Sequence, residues 1–410
     1  MSGDELAGGR GVLPAFPMSR DCPYHPPAGY ARLAEQGPLS RVRLYDGRQV
    51  WVVTGHAETR SLLVDPRLSS DRSRPDFPVL VPRMAAARLT ALVGMDPPEH
   101  DVQRRMLIGS FTVRRVNGLR PSIRRIVDER IDAVLAKSGS RPVDLVREFA
   151  LPVPSTVICE LLGVPYEDHE FFEEQTRRML LATGTADQAA AASAALVAYF
   201  DRLTDAKLRG SESRARKGGL LDELAEDRVR TGELSRADLS AIAMFLLVAG
   251  HETTANMIGL SILTLLEHPA ELARLREDPA LLPGAVEELL RFLSVADELQ
   301  RVAAADIEVG GVLIREGEGV YLPNAAANRS AEVFPDPDVL DVGRDARRHL
   351  AFGYGVHQCI GQNLARAEVE IALGRLITRI PTLRLAAPVE ELGVKAGGSV
   401  QGVRRLPVDW

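Results

Sequence analysis

One stretch of the sequence decides the fold: Phe352-Gly-Tyr-Gly-Val-His-Gln-Cys359-Ile-Gly361, followed by the helical pattern QNLARAEVEIALGRLI. The positive end of a helix and its free N–H groups stabilise a thiolate, so a cysteine just before a helix is suited to ligand binding. Gly353 and Gly355 permit tight turns and the close approach of a flat ligand, and Gly361 removes a side chain where the helix passes near it. Single cysteines are more often buried and inert. The fixed pattern of Phe, Gly, His and Cys nevertheless favours a functional thiolate.

The composition is that of an ordinary globular protein and excludes several classes of partner. The chain has 410 residues, with 50 Lys and Arg against 56 Asp and Glu, which gives a net charge of −6. This balance lacks the basic footprint of a nucleic-acid-binding domain. Cys22, Cys159 and Cys359 are too few and too scattered for a disulfide framework or a zinc cluster. We therefore expect a reducing, cytoplasmic location and no nucleic-acid partner.

The chain shows no internal boundary that would divide it into several domains. Residues 1–20 are interpreted as a flexible leader without the charged and apolar regions of a secretory signal. The longest apolar run, 239–248, has ten residues, whereas a bilayer span needs about 20. We therefore expect a single domain over residues 21–410 and no membrane segment.

Helical periodicity dominates the sequence. Residues 121–136 place apolar side chains on one face, and 238–268 form a long apolar helix with Ser235 as N-cap and Pro269 after its end. Shorter β-type runs occur at 50–54, 306–309 and 319–322. The predicted fold class is mainly α with minor β.

The cysteine stretch resembles the haem-binding loop of the cytochrome P-450 family, and Cys359 matches the thiolate that ligates haem iron. The similarity extends over about 21–410. Segments such as LYDGRQVWVVT, DPRLSSDR, LPVPSTVICELLGVPY and LPGAVEELLR are similar to soluble actinobacterial members, in particular the streptomycete group that includes sulfonylurea and vitamin D hydroxylases. The resemblance implies a triangular helical prism with small sheets and a haem b cofactor, with Phe352, Gly353 and Gly361 in the cofactor-binding loop.

The long helix carries polar groups in its middle, in the segment Ala249-Gly-His-Glu252-Thr253-Thr254. Buried polar groups are costly without partners, and threonine can bond to the preceding turn and bend a helix. Gly250 is expected to open a groove for dioxygen, although a satisfied kink in the core is the plainer alternative. The resemblance implies that Glu252 relays protons, that Thr253 assists oxygen activation, and that Ala249 lies close to the cofactor and substrate.

A second motif places two donors on one helix face. His100 and Arg104 are four residues apart, and an arginine fork binds a carboxylate well. On residue types alone, such a pair is more often a solvated helix face. The resemblance implies that both bind the haem propionates, together with Arg301 and His357.

A third motif, Glu288-Leu-Leu-Arg291, is weak alone because acids and bases three apart are common on exposed helices. Its position between the long helix and the cysteine loop is similar to the buried Glu/Arg pair of the family. The resemblance implies a structural role for Glu288 and Arg291, with Arg344 as a third member.

No dinucleotide-binding fingerprint or fused redox module is present, so electrons must come from another protein. The resemblance implies NAD(P)H as the indirect donor, acting through a ferredoxin reductase and a ferredoxin. We interpret a cluster of arginines as a basic docking patch for an acidic ferredoxin, with ordinary solvated helix faces as the alternative. These residues are Arg104, Arg105, Arg114, Arg115, Arg120, Arg124, Arg125, Arg347 and Arg348.

The resemblance places the substrate pocket along five segments, 76–94, 171–185, 244–253, 293–299 and 397–401, which are rich in Leu, Val, Ala and Met. This composition favours a bulky apolar small molecule. The predicted function is a monomeric haem-thiolate monooxygenase that hydroxylates, epoxidises or dealkylates a secondary metabolite or a foreign compound. The alternatives are a non-catalytic haem sensor and a haem-thiolate isomerase or peroxygenase.

Overall fold

The computed structural model describes residues 13–86, 89–137, 139, 141–180, 184–209, 219–297, 299–395 and 400–410. Helices make up most of it. In chain order they are α1 (Ala28–Ala34), α2 (His56–Leu63), α3 (Pro82–Ala86), α4 (Glu99–Leu107), α5 (Val113–Ala136), α6 (Pro152–Leu162), α7 (His169–Leu180), α8 (Ala186–Leu208), α9 (Leu220–Leu224), α10 (Arg236–Glu267), α11 (Pro269–Glu277), α12 (Leu282–Leu293), α13 (Asn324–Ala327) and α14 (Gln362–Arg379).

Within the described residues, the strands are short and form three small sheets. In chain order they are β1 (Leu39–Arg43), β2 (Gln49–Val53), β3 (Leu68–Ser69), β4 (Val143–Asp144), β5 (Leu299–Ala303), β6 (Ile307–Val309), β7 (Val312–Ile314), β8 (Gly319–Leu322), β9 (Arg384–Leu385) and β10 (Pro407–Asp409). The largest sheet has the order β1-β2-β8-β5-β3, in which only the β2–β8 pair is parallel. The other sheets are β4-β10-β9 and β6-β7.

Helix α10 lies at the centre of the core, where it packs against α6, α8 and α14. It begins where the sequence predicts, because the Ser235 hydroxyl accepts a hydrogen bond from the Asp238 amide at 3.0 Å. Among the described residues, α10 alone is long and apolar enough to cross a bilayer, and 67% of its most apolar window is buried inside the protein. Its apolar side chains are thus already covered by neighbouring helices.

The described part of the predicted leader is packed against the sheet. Residues 1–12 lie outside the described residues. Phe16 is only 3% exposed and contacts the rings of Tyr30 and Tyr321, and Arg20 is also buried. Residues 13–20 therefore belong to the folded structure rather than to a flexible leader.

Helix α5 starts earlier than predicted. The sequence suggests a start at Pro121, but Thr112 caps the helix by accepting a hydrogen bond from the Arg115 amide, and Pro121 lies inside it. The apolar face of the predicted segment is nevertheless the buried one, since Ile123, Ile126 and Val127 are at most 1% exposed. The helix thus presents the expected face to the core despite the internal proline.

Candidate active site

The loop before α14 is closed by its own backbone. The Cys359 amide donates to the Phe352 carbonyl at 2.9 Å, and Gly353 and Gly355 both have left-handed backbones, with φ of 69° and 74°. A Cβ at Gly355 would lie 2.5 Å from the Leu63 carbonyl oxygen, so only glycine fits there. The turn thereby fixes the position of Cys359.

The Cys359 thiol lies deep in the fold and yet keeps accessible surface. Burial raises the pKa of this thiol, whereas the amides of Gly361 and Gln362 and the charge of Arg104 act in the opposite direction. These amides come from the start of α14, where N–H groups have no partner inside the helix. The amides and the arginine next to the sulfur therefore favour its anionic form, against the effect of burial.

Three residues that the sequence analysis did not single out hold this loop from outside. The Arg366 guanidinium stacks 4.6 Å from the centre of the Phe352 ring and donates to Glu287 at 2.6 Å. Glu287 also lies 3.1 Å from His349 Nε2. This arrangement links α12, α14 and the cysteine loop.

The predicted donors from α4 and the cysteine loop meet. The rings of His100 and His357 are 4.2 Å apart, and Arg104 Nη2 donates to the Gln358 carbonyl at 2.8 Å. His100 is fully buried, and its Nε2 has no hydrogen-bond partner among the described residues. An unpartnered buried nitrogen of this kind points to a ligand group.

Arg301 joins this cluster from β5. It is 5% exposed, and burial lowers the pKa of its guanidinium to about 10, with the charge of Arg72 acting in the same direction. Burial, followed by the charges of Arg301, His100 and Arg104, lowers the pKa of His357 to about 3. In the described part of the chain neither Arg104 nor Arg301 forms an ion pair with a carboxylate. We call His100, Arg104, Arg301 and His357 the donor cluster.

The middle of α10 borders a cavity of about 230 Å³, which we call the substrate cavity. Ala249 and Thr253 line it, and the Thr253 hydroxyl donates to the Ala249 carbonyl at 2.7 Å. Most of the remaining wall is apolar, with Phe77, Met179 and Leu299 as examples. A threonine oxygen thus lies in the wall of an apolar chamber.

Glu252 also lines this cavity, but its carboxylate is hydrogen-bonded to two side chains that lie outside the cavity wall. Oε1 accepts hydrogen bonds from Lys395 Nζ at 2.8 Å and from Asn256 Nδ2 at 2.9 Å. Burial would raise the pKa of Glu252, but the opposing charges of Lys395 and His251 and the hydrogen bonds leave it below its usual value. Glu252 is therefore ionised and paired with a lysine that no sequence motif indicated.

Gly250 lies where two core helices meet. A Cβ at this position would lie 2.8 Å from Ile158 Cδ1. The missing side chain therefore lets α6 pack tightly against α10, while the groove for dioxygen stays a prediction.

Glu288, Arg291 and Arg344 meet in one buried network. Arg291 Nε and Nη2 donate to the two oxygens of Glu288 at 2.7 and 2.8 Å, and both side chains are 0% exposed. Arg344 Nε and the Asp341 amide each reach Glu288 Oε1 at 3.1 Å. The carboxylate is therefore fully satisfied by groups of the chain.

A family model described as cytochrome P-450 matches residues 30–380 of this chain. The chain belongs to the cytochrome P-450 family. Pentalenic acid synthase from Streptomyces avermitilis is 55% identical to this chain over 398 residues, and the alignment covers 97% of each protein. Vitamin D3 dihydroxylase from Streptomyces griseolus is 53% identical over 402 residues, again with 97% of each chain covered.

A solved P-450 has the same architecture. The mycinamicin VIII C21 methyl hydroxylase from Micromonospora griseorubida, bound to mycinamicin VIII, superposes with a TM-score of 0.91 at 41% identity, covering 97% of this chain and 100% of that one. The predicted fold, mainly α with small sheets, is thereby confirmed, as is the similarity to actinobacterial P-450s. These relatives identify this P-450 as a monooxygenase rather than as a haem sensor, isomerase or peroxygenase.

Haem is the cofactor of this family, and the residues present suit it. A thiol with amides directed at its sulfur could ligate the haem iron, and a donor cluster with an unpartnered histidine nitrogen could bind two carboxylates.

The predicted pocket segments contribute to the substrate cavity of this P-450 through Phe77, Met179, Val248, Leu299 and Val400. Positions 87–88, 181–183, 298 and 397–399 of those segments lie outside the described residues. Arg72 and Gln300 are polar wall residues that the sequence analysis had not named.

Proposed function

We propose that Cys359 would ligate the iron of haem b and that the donor cluster would bind its two propionates. Phe352, Gly353 and Gly361 shape the loop under the cofactor, and Ala249 faces it from α10. The observation that carries this proposal is the convergence of two arginines and two histidines, one with an unpartnered buried nitrogen, near the cysteine loop. Arginine forks bind carboxylates strongly, so two propionates would satisfy these donors.

Glu252 and Thr253 are proposed as the catalytic side chains. Bound haem with a thiolate ligand supplies the activation of dioxygen. Thr253 offers a hydroxyl at the wall of the substrate cavity, and Glu252 offers an ionisable carboxylate one residue away. A carboxylate that takes up and releases protons beside a hydroxyl is suited to proton delivery by general acid catalysis.

The substrate is proposed to be a bulky and mainly apolar secondary metabolite or foreign compound, which is hydroxylated, epoxidised or dealkylated. The apolar wall of the substrate cavity supports this class. So do the names of similar proteins, which include a vitamin D3 dihydroxylase and a mycinamicin VIII C21 methyl hydroxylase.

Electrons are proposed to come from NAD(P)H through a ferredoxin reductase and a ferredoxin. Part of the predicted basic patch is neutralised by ion pairs, since Arg115, Arg120 and Arg125 pair with Glu223, Glu370 and Glu129. Arg105 on α4 forms no such pair within the described residues. Helix α4 contacts the cysteine loop, where Val356 is 51% exposed, so a smaller patch of this kind could steer an acidic ferredoxin towards Cys359.

Residues 21–410, together with the packed residues 13–20, are proposed to form one domain, and the chain to act as a cytoplasmic monomer. Two observations support a single domain. The family model matches residues 30–380 without a break, and one large hydrophobic core cluster contains residues from 91 to 408. The composition and the three separate free cysteines support a reducing compartment.

The ferric absorption spectrum tests this function. We expect the purified protein to have a thiolate-type Soret band that shifts to the high-spin position with one class among macrolides, steroids, terpenoids and small phenolates. Cys359→Ser should lose the thiolate-type band, whereas Cys22→Ser, at another free cysteine, should keep it. A thiolate-type spectrum in Cys359→Ser would refute the ligand assignment.

A further inference from the structure

Glu287 lies where α12, α14 and the cysteine loop meet, and its carboxylate fixes the position of an arginine. Arg366 Nε and Nη2 donate to the two oxygens of Glu287 at 2.6 and 3.0 Å. This paired geometry is the one in which a guanidinium binds a carboxylate most strongly. The Glu287 side chain is 14% exposed and that of Arg366 is 29% exposed, so water screens their attraction only partly.

His349 ties the same carboxylate to the backbone of the cysteine loop. Its Nδ1 accepts a hydrogen bond from the Ala351 amide at 3.1 Å, so the ring proton lies on Nε2, which donates to Glu287 at 3.1 Å. Burial would raise the pKa of Glu287, but the hydrogen bonds from His349 and Arg366 and the charge of Arg366 lower it to about 2. Glu287 is therefore ionised at neutral pH, directly behind the segment that leads into Phe352.

The charge of Arg366 acts on the Cys359 sulfur. Its guanidinium lies 4.6 Å from the centre of the Phe352 ring, at the base of the loop. Burial raises the pKa of the Cys359 thiol, whereas the charges of Arg104 and Arg366 act in the opposite direction and favour the thiolate. Of these two arginines, Arg366 is the one paired with a carboxylate. Glu287 therefore holds a cation beside the loop and at the same time compensates part of its charge.

We propose that Glu287 is a positioning residue that sets the reduction potential of the haem iron, by holding the Arg366 charge against the cysteine loop and partly neutralising it. One electron from the redox partner reduces the iron and adds a negative charge next to the sulfur. A cation near this centre favours the reduced form, and an anion disfavours it. The two members of the pair therefore act on the potential in opposite directions. This inference rests on the proposal that Cys359 would ligate the haem iron.

The test measures the midpoint potential of the ferric–ferrous couple in the haem-loaded protein. Small redox dyes mediate the titration, so ferredoxin docking plays no part in the result. We expect Glu287→Gln to raise the potential by about 59 mV, a tenfold change in a one-electron equilibrium, because Arg366 then lacks its counter-charge. Arg366→Met should lower the potential by a similar amount, and Arg366→Lys, which keeps the charge, should stay close to the parent protein. A loosened loop would shift Glu287→Gln and Arg366→Met in the same direction.

A matched ion pair farther along the same helix provides the control. Arg375 lies about 14 Å beyond Arg366 along α14 and donates to Asp128 of α5 at 2.8 Å. Asp128→Asn and Arg375→Met remove the same kinds of charge as the test variants, but away from the cysteine loop. Both should leave the potential unchanged.

The outcomes separate this inference from the proposed function. A parent protein without a thiolate-type Soret band would refute the proposed function before any variant is compared. If that band is present but Glu287→Gln and Arg366→Met shift the potential in the same direction, or no further than the control pair, the inference about Glu287 is overturned. Should Glu287→Gln bind no haem, the comparison of Arg366→Met with Arg366→Lys still decides, because equal potentials in these two would contradict a role for the charge.

Discussion

The Glu288 network and the donor cluster both bury charged side chains, but they differ in what neutralises them. Glu288 receives hydrogen bonds from Arg291, Arg344 and the Asp341 amide, so its charge is compensated inside the chain. The donor cluster brings Arg104 and Arg301 together with two histidines, and no carboxylate of the described residues forms an ion pair with either arginine. Burial of a compensated charge serves the fold, whereas burial of surplus donors prepares a site for an anionic ligand.

Removing Glu288 from its network should have the largest effect, because both the stability of the fold and haem binding depend on it. Glu288→Ala leaves the Arg291 guanidinium buried without a counter-charge, which costs about 3–5 kcal/mol. We expect little folded protein and little bound haem, measured by the free energy of unfolding and by haem content. Glu129→Ala is the control, because Glu129 forms an exposed i,i+4 pair with Arg125 and should change stability by only about 0.5 kcal/mol. Normal stability in Glu288→Ala would contradict the structural role of this pair.

Removing Arg301 from the donor cluster should have a smaller effect, and this effect should be on haem affinity rather than on stability. Arg301→Met should lower haem affinity about tenfold, or about 1.4 kcal/mol, through the loss of a charge-assisted bond. The apo-protein should not be destabilised, because a buried and unpaired charge disappears. Competition for haem with apomyoglobin and denaturation of the apo-protein measure the two quantities.

Arg315→Met is the control for that experiment, since Arg315 forms an exposed pair with Asp306. It should change neither quantity. If Arg301→Met unfolded the apo-protein while haem affinity stayed normal, Arg301 would belong with the Glu288 network.

Glu368 extends the comparison to a third case. It is a buried carboxyl group that has no counter-charge in the part of the chain that the structure describes and does not belong to the donor cluster. It is 2% exposed, its Oε2 has no hydrogen-bond partner among the described residues, and burial raises the pKa of its carboxyl well above the usual value. The folded protein therefore keeps this proton to a higher pH than the unfolded chain, which loses it above about pH 4.3. Its contribution to stability is therefore complete below that pH and declines as pH rises towards the folded pKa.

Glu368→Gln should accordingly have the smallest effect. The amide copies the shape of the neutral acid, so stability near pH 4 should change by less than about 1 kcal/mol. At pH 7 the variant should be as stable as the parent protein or more stable, because glutamine does not ionise in the unfolded chain. Urea denaturation at both pH values measures this, and a marked loss at pH 7 would mean that Glu368 is ionised and paired.

The fold was predictable where local signals mark the ends of elements. Ser235 and Pro269 bracket α10 in the sequence, and the observed helix, Arg236–Glu267, lies within two residues of the prediction. The start of α5 was missed because core packing tolerates Pro121 inside the helix. Strand β5, which carries Arg301, was also missed, because four of its five residues are buried and no alternation marks it.

The residues of the proposed site that the sequence alone could name are those that stand in one short motif. Cys359 and the pair Glu252–Thr253 stand in such motifs. Lys395 could not be predicted, because it lies 143 residues from Glu252 and meets it only through tertiary packing. Arg366 could not be predicted either, because its partner Glu287 lies 79 residues away in the sequence.

Gly250 has a consequence for how substrate preference can change in this P-450. Its neighbours Val248 and Ala249 line the substrate cavity, whereas position 250 is filled from behind by Ile158. A larger residue at 249 reshapes the chamber directly, but one at 250 must first displace the Ile158 side chain. Directed evolution towards new substrates should therefore accumulate changes at 248 and 249 and keep glycine at 250. Variation at 250 should arise only together with a smaller residue at 158.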